Sequence, residues 1–294
     1  MINTRLSSST QQDLPPQESP QRNPTVVIQP SKGRFHFDLR AVWEYRELLY
    51  FLVWRDVKVR YKQTVLGVAW AVLQPLLTMA IFTVVFGSFA SIPSDGLPYS
   101  IFAYTALLPW QYFSQAISHS GDSLVNSANL ISKVYFPRLV VPIAATLAPL
   151  VDFAVAFVIL LGMMVWFGVA PTWDLLALPL FLLLALLTAL AVSLFLSALN
   201  VQYRDVRYTI PFLVQFWMYA SPVAYPVSLV PKKWQLFYSL NPLVGVIDGF
   251  RWALLGKVRP NFGAMAVSAG IVVLLLLGGI SYFKRMERTF ADVI

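Results

Sequence analysis

The sequence predicts an all-α polytopic membrane protein with about six transmembrane helices, and three observations predict it. Of its 294 residues, 57% are hydrophobic and only 12% charged, where a soluble domain carries roughly a quarter charged residues. Charge is nearly absent from several stretches as long as the ~20 residues needed to cross a hydrocarbon core. Those stretches are apolar almost all round, whereas helices covering a large soluble core would keep one polar face.

The elements follow in order. Residues 1–31 are polar and rich in Ser, Gln and Pro. They bury too little apolar surface to offset ordering entropy, which predicts a disordered cytoplasmic tail, and they contain no apolar stretch of signal-peptide type. Residues 32–67 read as an amphipathic interfacial helix followed by a basic hinge. Arg40, Glu44 and Glu47 make one narrow polar strip, while Leu39, Val42, Trp43, Leu49, Tyr50 and Val53 cover much of the remainder. A helix so patterned lies in the plane of the membrane interface, with Trp43 and Tyr45 at headgroup depth; packing on a partner protein is the alternative. The hinge holds Arg55, Lys58, Arg60 and Lys62 against a single Asp56. Residues 68–294 form the transmembrane domain, with spans expected near 68–90, 99–119, 139–167, 175–199, 208–227 and 263–283. Pro75, Pro109, Pro142, Pro149, Pro211 and Pro222 fall inside spans, where neighbouring helices satisfy the freed backbone groups.

Charge placement sets the orientation. The net charge is +8, but the basic residues flank apolar spans, which fits lipid headgroups and topology and excludes a nucleic-acid groove. Seventeen of the 22 Lys and Arg residues precede the first span, occupy the second-to-third and fourth-to-fifth loops, or follow the last span. The connections at 91–98 and 168–174 carry none, so both termini are expected in the cytoplasm. Residues 228–262 are the exception, with five basic residues on the expected outer side. Their apolar runs, Leu243–Ile247 and Phe250–Leu255, are too short to span. They predict short re-entrant or surface-lying helices before the last span, with a soluble outer loop as the alternative.

What is missing narrows the function. There is no cysteine, and the two histidines, His36 and His119, lie far apart. No phosphate-binding G-x-x-x-x-G-K-[ST] loop, H-E-x-x-H or metal-spaced cluster occurs, so the chain has no expected cofactor, metal or motor. It also lacks the paired interrupted halves of many secondary transporters. A membrane-bound glycan transferase acting on polyprenyl phosphates would need acidic groups to bind metal or act as base. Asp95, Asp174 and Asp248 are isolated in the expected outer loops, with no D-x-D-like pair. A channel would need a polar filter motif, and none is visible.

Four segments carry a resemblance. The stretch RDVKVRYKQTVLGVAWAVLQP from Arg55 to Pro75 resembles the opening signature of type-2 ABC exporter permeases for polysaccharides. NLISKVYFPR (Asn129–Arg138), NVQYRDVR (Asn200–Arg207), and Asn241-Pro-Leu through Gly249-Phe-Arg251 are similar to the same family in the same order. The likeness extends over about 38–290 and is strongest to the O-antigen and teichoic-acid branch. It implies a bacterial inner-membrane homodimer working with two copies of a separate ATP-binding cassette subunit, on which ATP and Mg would sit. It also implies a cargo of glycan linked to polyprenyl diphosphate.

Within that frame the sequence nominates its site residues. Asp152, the only acidic residue deep in a span, is expected to face protein or water rather than lipid, either acting in gating or held by a structural partner such as a backbone donor or a Ser or Thr hydroxyl. Lys133, Tyr135, Phe136 and Arg138, with Arg204 and Asp205, are expected to meet the ATPase, using a short helix at Ser127–Val134 and Phe136 as apolar anchor. Tyr208, Phe212, Phe216 and Tyr219 line one face of the fifth span, as part of a conduit wall or as ordinary packing, with Tyr225 and Trp234 near its outer mouth. Arg55, Lys58, Arg60 and Lys62 are expected where the diphosphate enters, the two arginines able to grip phosphate bidentately, or else to anchor the chain at an anionic leaflet.

Overall fold

The computed structural model describes residues 39–62, 67–256 and 261–290, so the expected tail at 1–31 lies outside the described residues. The described chain is all helix and turn: α1 (Leu39–Glu44), α2 (Arg46–Lys62), α3 (Gly67–Phe82), α4 (Tyr99–Asn126), α5 (Ala128–Lys133), α6 (Val140–Leu147), α7 (Leu150–Trp166), α8 (Leu178–Gln202), α9 (Val206–Tyr219), α10 (Lys232–Tyr238), α11 (Pro242–Leu255) and α12 (Phe262–Glu287). A wider π-helical stretch, Thr83–Phe89, continues α3.

Among the described residues, four segments are long and apolar enough to cross a membrane: Ala69–Phe89, Val140–Trp166, Trp173–Gln202 and Phe262–Glu287. The two other expected spans fall on α4 and α9. Helix α4 has 28 residues but carries Ser114, Gln115, Ser118, His119 and Asp122 along its second half. Helix α9 has 14 residues, about 21 Å at 1.5 Å per residue against a core of about 30 Å. It stops at Tyr219, so the expected span to 227 is corrected: the chain turns after 219, and the Ser221 and Val223 amides bond within the turn. The third expected span is divided at Ala148–Pro149, where the ring removes a helical donor. Pro142 sits in the first turn of α6, where a missing N–H costs nothing.

Helices α4 and α8 pack along their lengths and form the centre, with α11 lying across both and α12 against α8. Close approach needs missing side chains. A β-carbon at Gly279 would come within 2.7 Å of the Ala191 carbonyl oxygen, and one at Gly249 would meet the Phe181 ring at 2.3 Å. Small residues let helix backbones meet in this way, so dispersion contacts replace the hydrophobic drive that lipid does not supply.

Two apolar clusters mark the ends. The larger runs from Phe82 and Tyr99 through Phe113, Phe153 and Phe181 to Phe250 and Leu255. The smaller gathers Leu52, Leu124, Ile131, Phe136, Leu139, Phe283 and Phe290. That second cluster lies at the end of the molecule bearing α5 and the α8–α9 turn. At the opposite end Ser228 bonds Asp95 and the Tyr99 hydroxyl bonds the Ala224 carbonyl.

Candidate functional site

Helix α2 is set on the bundle by its apolar face. Leu52 is buried in the smaller cluster with Tyr45, Leu48, Leu49 and Val53 packed beside it, while Trp43, Tyr50, Phe51 and Trp54 stay exposed. The helix continues to Lys62, so the expected basic hinge is corrected: all four cations ride on the last two turns of a regular helix. Helical geometry then sorts them. Lys58 and Lys62, four apart, share an exposed face. Arg55 donates to the neighbouring Asp56 at 2.8 Å. Arg60 points another way, into the bundle.

There the structure joins two residues that the sequence treated separately. The Arg60 guanidinium and the Tyr61 hydroxyl both donate to the Asp152 carboxylate. Arg60 also bonds the Gln115 side-chain oxygen at 3.1 Å and the His119 ring. The partners expected for Asp152, a backbone donor or a Ser or Thr hydroxyl, are therefore corrected to an arginine and a tyrosine brought by α2. The reason is that a carboxylate with 9% side-chain exposure needs a charge partner, and none was visible in its own span. Three elements meet at this junction: α2, α4 and α7.

Helix α9 has two unlike faces. Ile210, Val214 and Trp217 pack into the larger cluster, where Trp217 meets Phe113 edge-on at 5.1 Å and donates to Asn241 at 3.0 Å. Tyr208, Phe212, Phe216 and Tyr219 project from the other face, 79, 71, 66 and 59% exposed. Packing among the described residues thus does not account for the stripe. Tyr225 stands on the turn beyond, its hydroxyl bonded to Tyr238 at 2.8 Å and to the Tyr219 carbonyl at 3.2 Å. Trp234 is exposed on α10 against Phe237.

At the end bearing α5, Lys133, Tyr135, Arg204 and Asp205 are exposed. Phe136 is not. It is 5% exposed and built into the smaller cluster, so its expected role as an anchor for a partner is corrected to one of internal packing. Arg138 is likewise turned inward, donating to the Glu287 carbonyl and lying 6.0 Å from the Phe290 ring. The alternation of the loop explains the swap: with Tyr135 outward and Pro137 following, Phe136 faces the bundle.

Three residues of the family-like segments gain roles that sequence reasoning did not assign. Buried Asn200 donates to the Gly121 carbonyl and to Asp122, both at 3.0 Å. Asn241 caps α11 by accepting from the Leu243 amide, and donates to Ala220 and Ser221. Arg251 holds the Val223 and Tyr225 carbonyls at 2.9 and 3.2 Å, with its guanidinium 3.6 Å from the Phe102 ring. Asp95 and Asp248, isolated in sequence, line one small cavity with Arg251 and Trp252. Burial pushes the Asp248 carboxyl up, against the pull of Arg251. The signal for these was their place in the motifs; their partners are too distant in sequence to read.

Comparison with known proteins supplies the frame. The family model described as ABC-2 type transporter matches residues 47–255. The chain is 29% identical to an O-antigen export system permease protein of Myxococcus xanthus over 259 residues, covering 87% of this chain and 98% of that protein. It is 26% identical to an O-antigen export system permease protein of Klebsiella pneumoniae, over 84% of this chain and 95% of the relative. A polysialic acid transport protein of Escherichia coli is 23% identical, over 79% and 91%.

Proposed function

This chain belongs to the ABC-2 type transporter family, and we propose that it is the membrane-spanning subunit of an exporter of lipid-linked polysaccharide, of O-antigen or teichoic-acid type. It sits in a bacterial inner membrane, crosses it six times with both ends in the cytoplasm, and works as a homodimer driven by two copies of a separate ATP-hydrolysing subunit.

The observation that carries this reading is the exposed aromatic face of α9, which no described residue covers. Six helices of one protomer offer no wide continuous path for a polymer, whereas two copies placed face to face enclose one between them. Four aromatic rings in line give the sugar units of a passing chain flat apolar surfaces to slide along, without the strong directional bonds that would hold them. Arg55, Lys58 and Lys62 on α2 supply positive potential at headgroup depth, where a multiply charged diphosphate approaches. Lys133, Tyr135, Arg204 and Asp205 form the exposed surface on which the motor subunit docks.

The test is deletion followed by analysis of the cytoplasmic glycan. Loss of an exporter leaves full-length lipid-linked polymer inside the cell, and the tagged protein co-purifies with an ATP-hydrolysing subunit. Truncated or unjoined glycan instead of complete polymer would identify a glycan transferase and overturn the proposal.

A further inference from the structure

We propose that the polar face of α4 carried by Gln111, Ser114 and Ser118 is the floor of the export path, and that it fits an uncharged, hydroxyl-rich glycan rather than a polyanion. The inference rests on the export reading above and narrows its cargo.

From Gln111 to Asp122 the residues of α4 sort cleanly by side. Tyr112, Phe113, Ala116 and Ile117 are buried, while Gln111, Ser114, Gln115, Ser118, His119 and Asp122 are partly or fully exposed. Every one of those exposed positions is polar. Helix α4 packs along α8, which belongs to one of the long apolar segments, so this face stands at the depth of the hydrocarbon core. Polar groups at that depth turn to protein or to a water-filled path, not to lipid. Neighbouring helices fix where the face opens. Phe113 meets Trp217 and Asp122 pairs with Arg207 at 3.7 Å, so α4 and α9 run antiparallel and the polar face borders α9. Ser114 and Ser118 are then level with Phe216 and Phe212 of the aromatic stripe. On the other flank Arg60 of α2 bonds Gln115 and His119, which leaves Gln111, Ser114 and Ser118 to form the floor.

A sugar ring has two apolar faces and a rim of hydroxyls. The rings of α9 suit the faces, and the floor on α4 suits the rim. The Gln111 amide both donates and accepts. Ser118 donates to the Ser114 carbonyl at 2.8 Å and keeps its oxygen as an acceptor. Neutral bonds of this kind exchange with those of water at small net gain, so they satisfy passing hydroxyls without holding them. Charge meets a different wall. Among the described residues two cations reach this face, Arg60 and Arg207, and each is matched by a carboxylate, Asp152 and Asp122. A phosphate or carboxylate in every repeat would shed water along the floor and meet amides, hydroxyls and rings, none of which compensates a buried charge. The carrier diphosphate is a separate case, because it is met once per molecule and not at each repeat.

The test places the full chain with its ATP-hydrolysing partner in proteoliposomes. The probes are polyprenyl diphosphate carrying a neutral hexose oligomer, or a hexuronate oligomer of equal length. Wild type should export the neutral oligomer about tenfold faster or more. Ser118→Lys sets an unmatched cation on the floor and should narrow or reverse that preference, whereas Ser118→Thr keeps the hydroxyl and the preference. A merely structural role for Ser118 would lower both rates together and leave their ratio alone. The chain contains no cysteine, so Ser114→Cys and Ser118→Cys report directly on whether the face is wet. Both should react with a membrane-impermeant thiol reagent, and more slowly while the neutral oligomer is being exported. Equal rates for the two oligomers overturn the proposal, as does a Ser118→Lys ratio equal to that of wild type. Cysteines that stay unreactive at both positions also overturn it, and assign the face to contact with a second copy of the chain. If the lysine variant does not assemble, the wild-type ratio and the labelling decide. Export of neither oligomer by wild type sinks the export reading too, whereas export of both at equal rates sinks only the choice of an uncharged cargo.

Discussion

Arg251 and Arg60 are both drawn into the bundle, and they are held in opposite ways. Arg251 is gripped by the Val223 and Tyr225 carbonyls and lies on the Phe102 ring, with 7% of its surface exposed. Arg60 is gripped by the Asp152 carboxylate, with Gln115 and His119 bonded to the same guanidinium. Backbone carbonyls and a ring face belong to the fold and have no competitor in solution. A carboxylate is one anion among many that a guanidinium accepts. The first arrangement pins the turn after α9 in place, and the second ties the end of α2 to α7.

The comparison breaks first at Arg251. Arg251→Leu leaves two buried carbonyls without donors and should cost about 3–5 kcal/mol, seen as loss of folded protein in a detergent melt. A variant that melts like wild type would show that the turn holds itself.

Phe136→Ala empties a packed site and should cost about 3–4 kcal/mol, while its neighbour Tyr135→Ala changes stability by less than about 0.5 kcal/mol. Export should respond the other way, falling in the Tyr135 variant while insertion and ATP hydrolysis by the partner persist. Normal export by Tyr135→Ala would remove that residue from the motor surface.

Gly249→Ala forces a methyl group into the Phe181 ring and should cost about 1–3 kcal/mol. This sharpens the contrast, because Gly249 and Arg251 lie on the same short helix and act by packing and by hydrogen bonding. A melt unchanged within error would mean that the ring moves aside freely.

The smallest stability effects belong to the α9 stripe. Cysteine at 212, 216 or 219 replaces an exposed ring and should leave the melt nearly unchanged. Each should react with an aqueous thiol reagent during transport. Protection of all three during turnover would place the stripe against protein or lipid rather than against the conduit.

Much of this was legible from residue types and spacing. The apolar lengths predicted helices at α3, α6–α7, α8 and α12, and the run at 228–262 predicted the short helices that appear as α10 and α11. The i, i+4, i+8, i+11 spacing placed Tyr208, Phe212, Phe216 and Tyr219 on one face, because helical phase is a local property. What failed was non-local. Asp152 found its charge partner 92 residues away, and Phe136 turned inward because Leu52, Leu139 and Phe283 close around it.

The sequence by itself determined that this chain is a helical, multi-pass membrane protein whose basic residues flank its apolar stretches. Hydrophobic length, charge placement and missing motifs are additive along the chain and need no fold to be read. Only the tertiary structure decided which charges are held and by what: Arg60 by a carboxylate on α7, Arg251 by backbone carbonyls and a ring. Those outcomes depend on which surfaces face each other once α4 and α8 have packed, and no local pattern encodes which neighbours that packing brings.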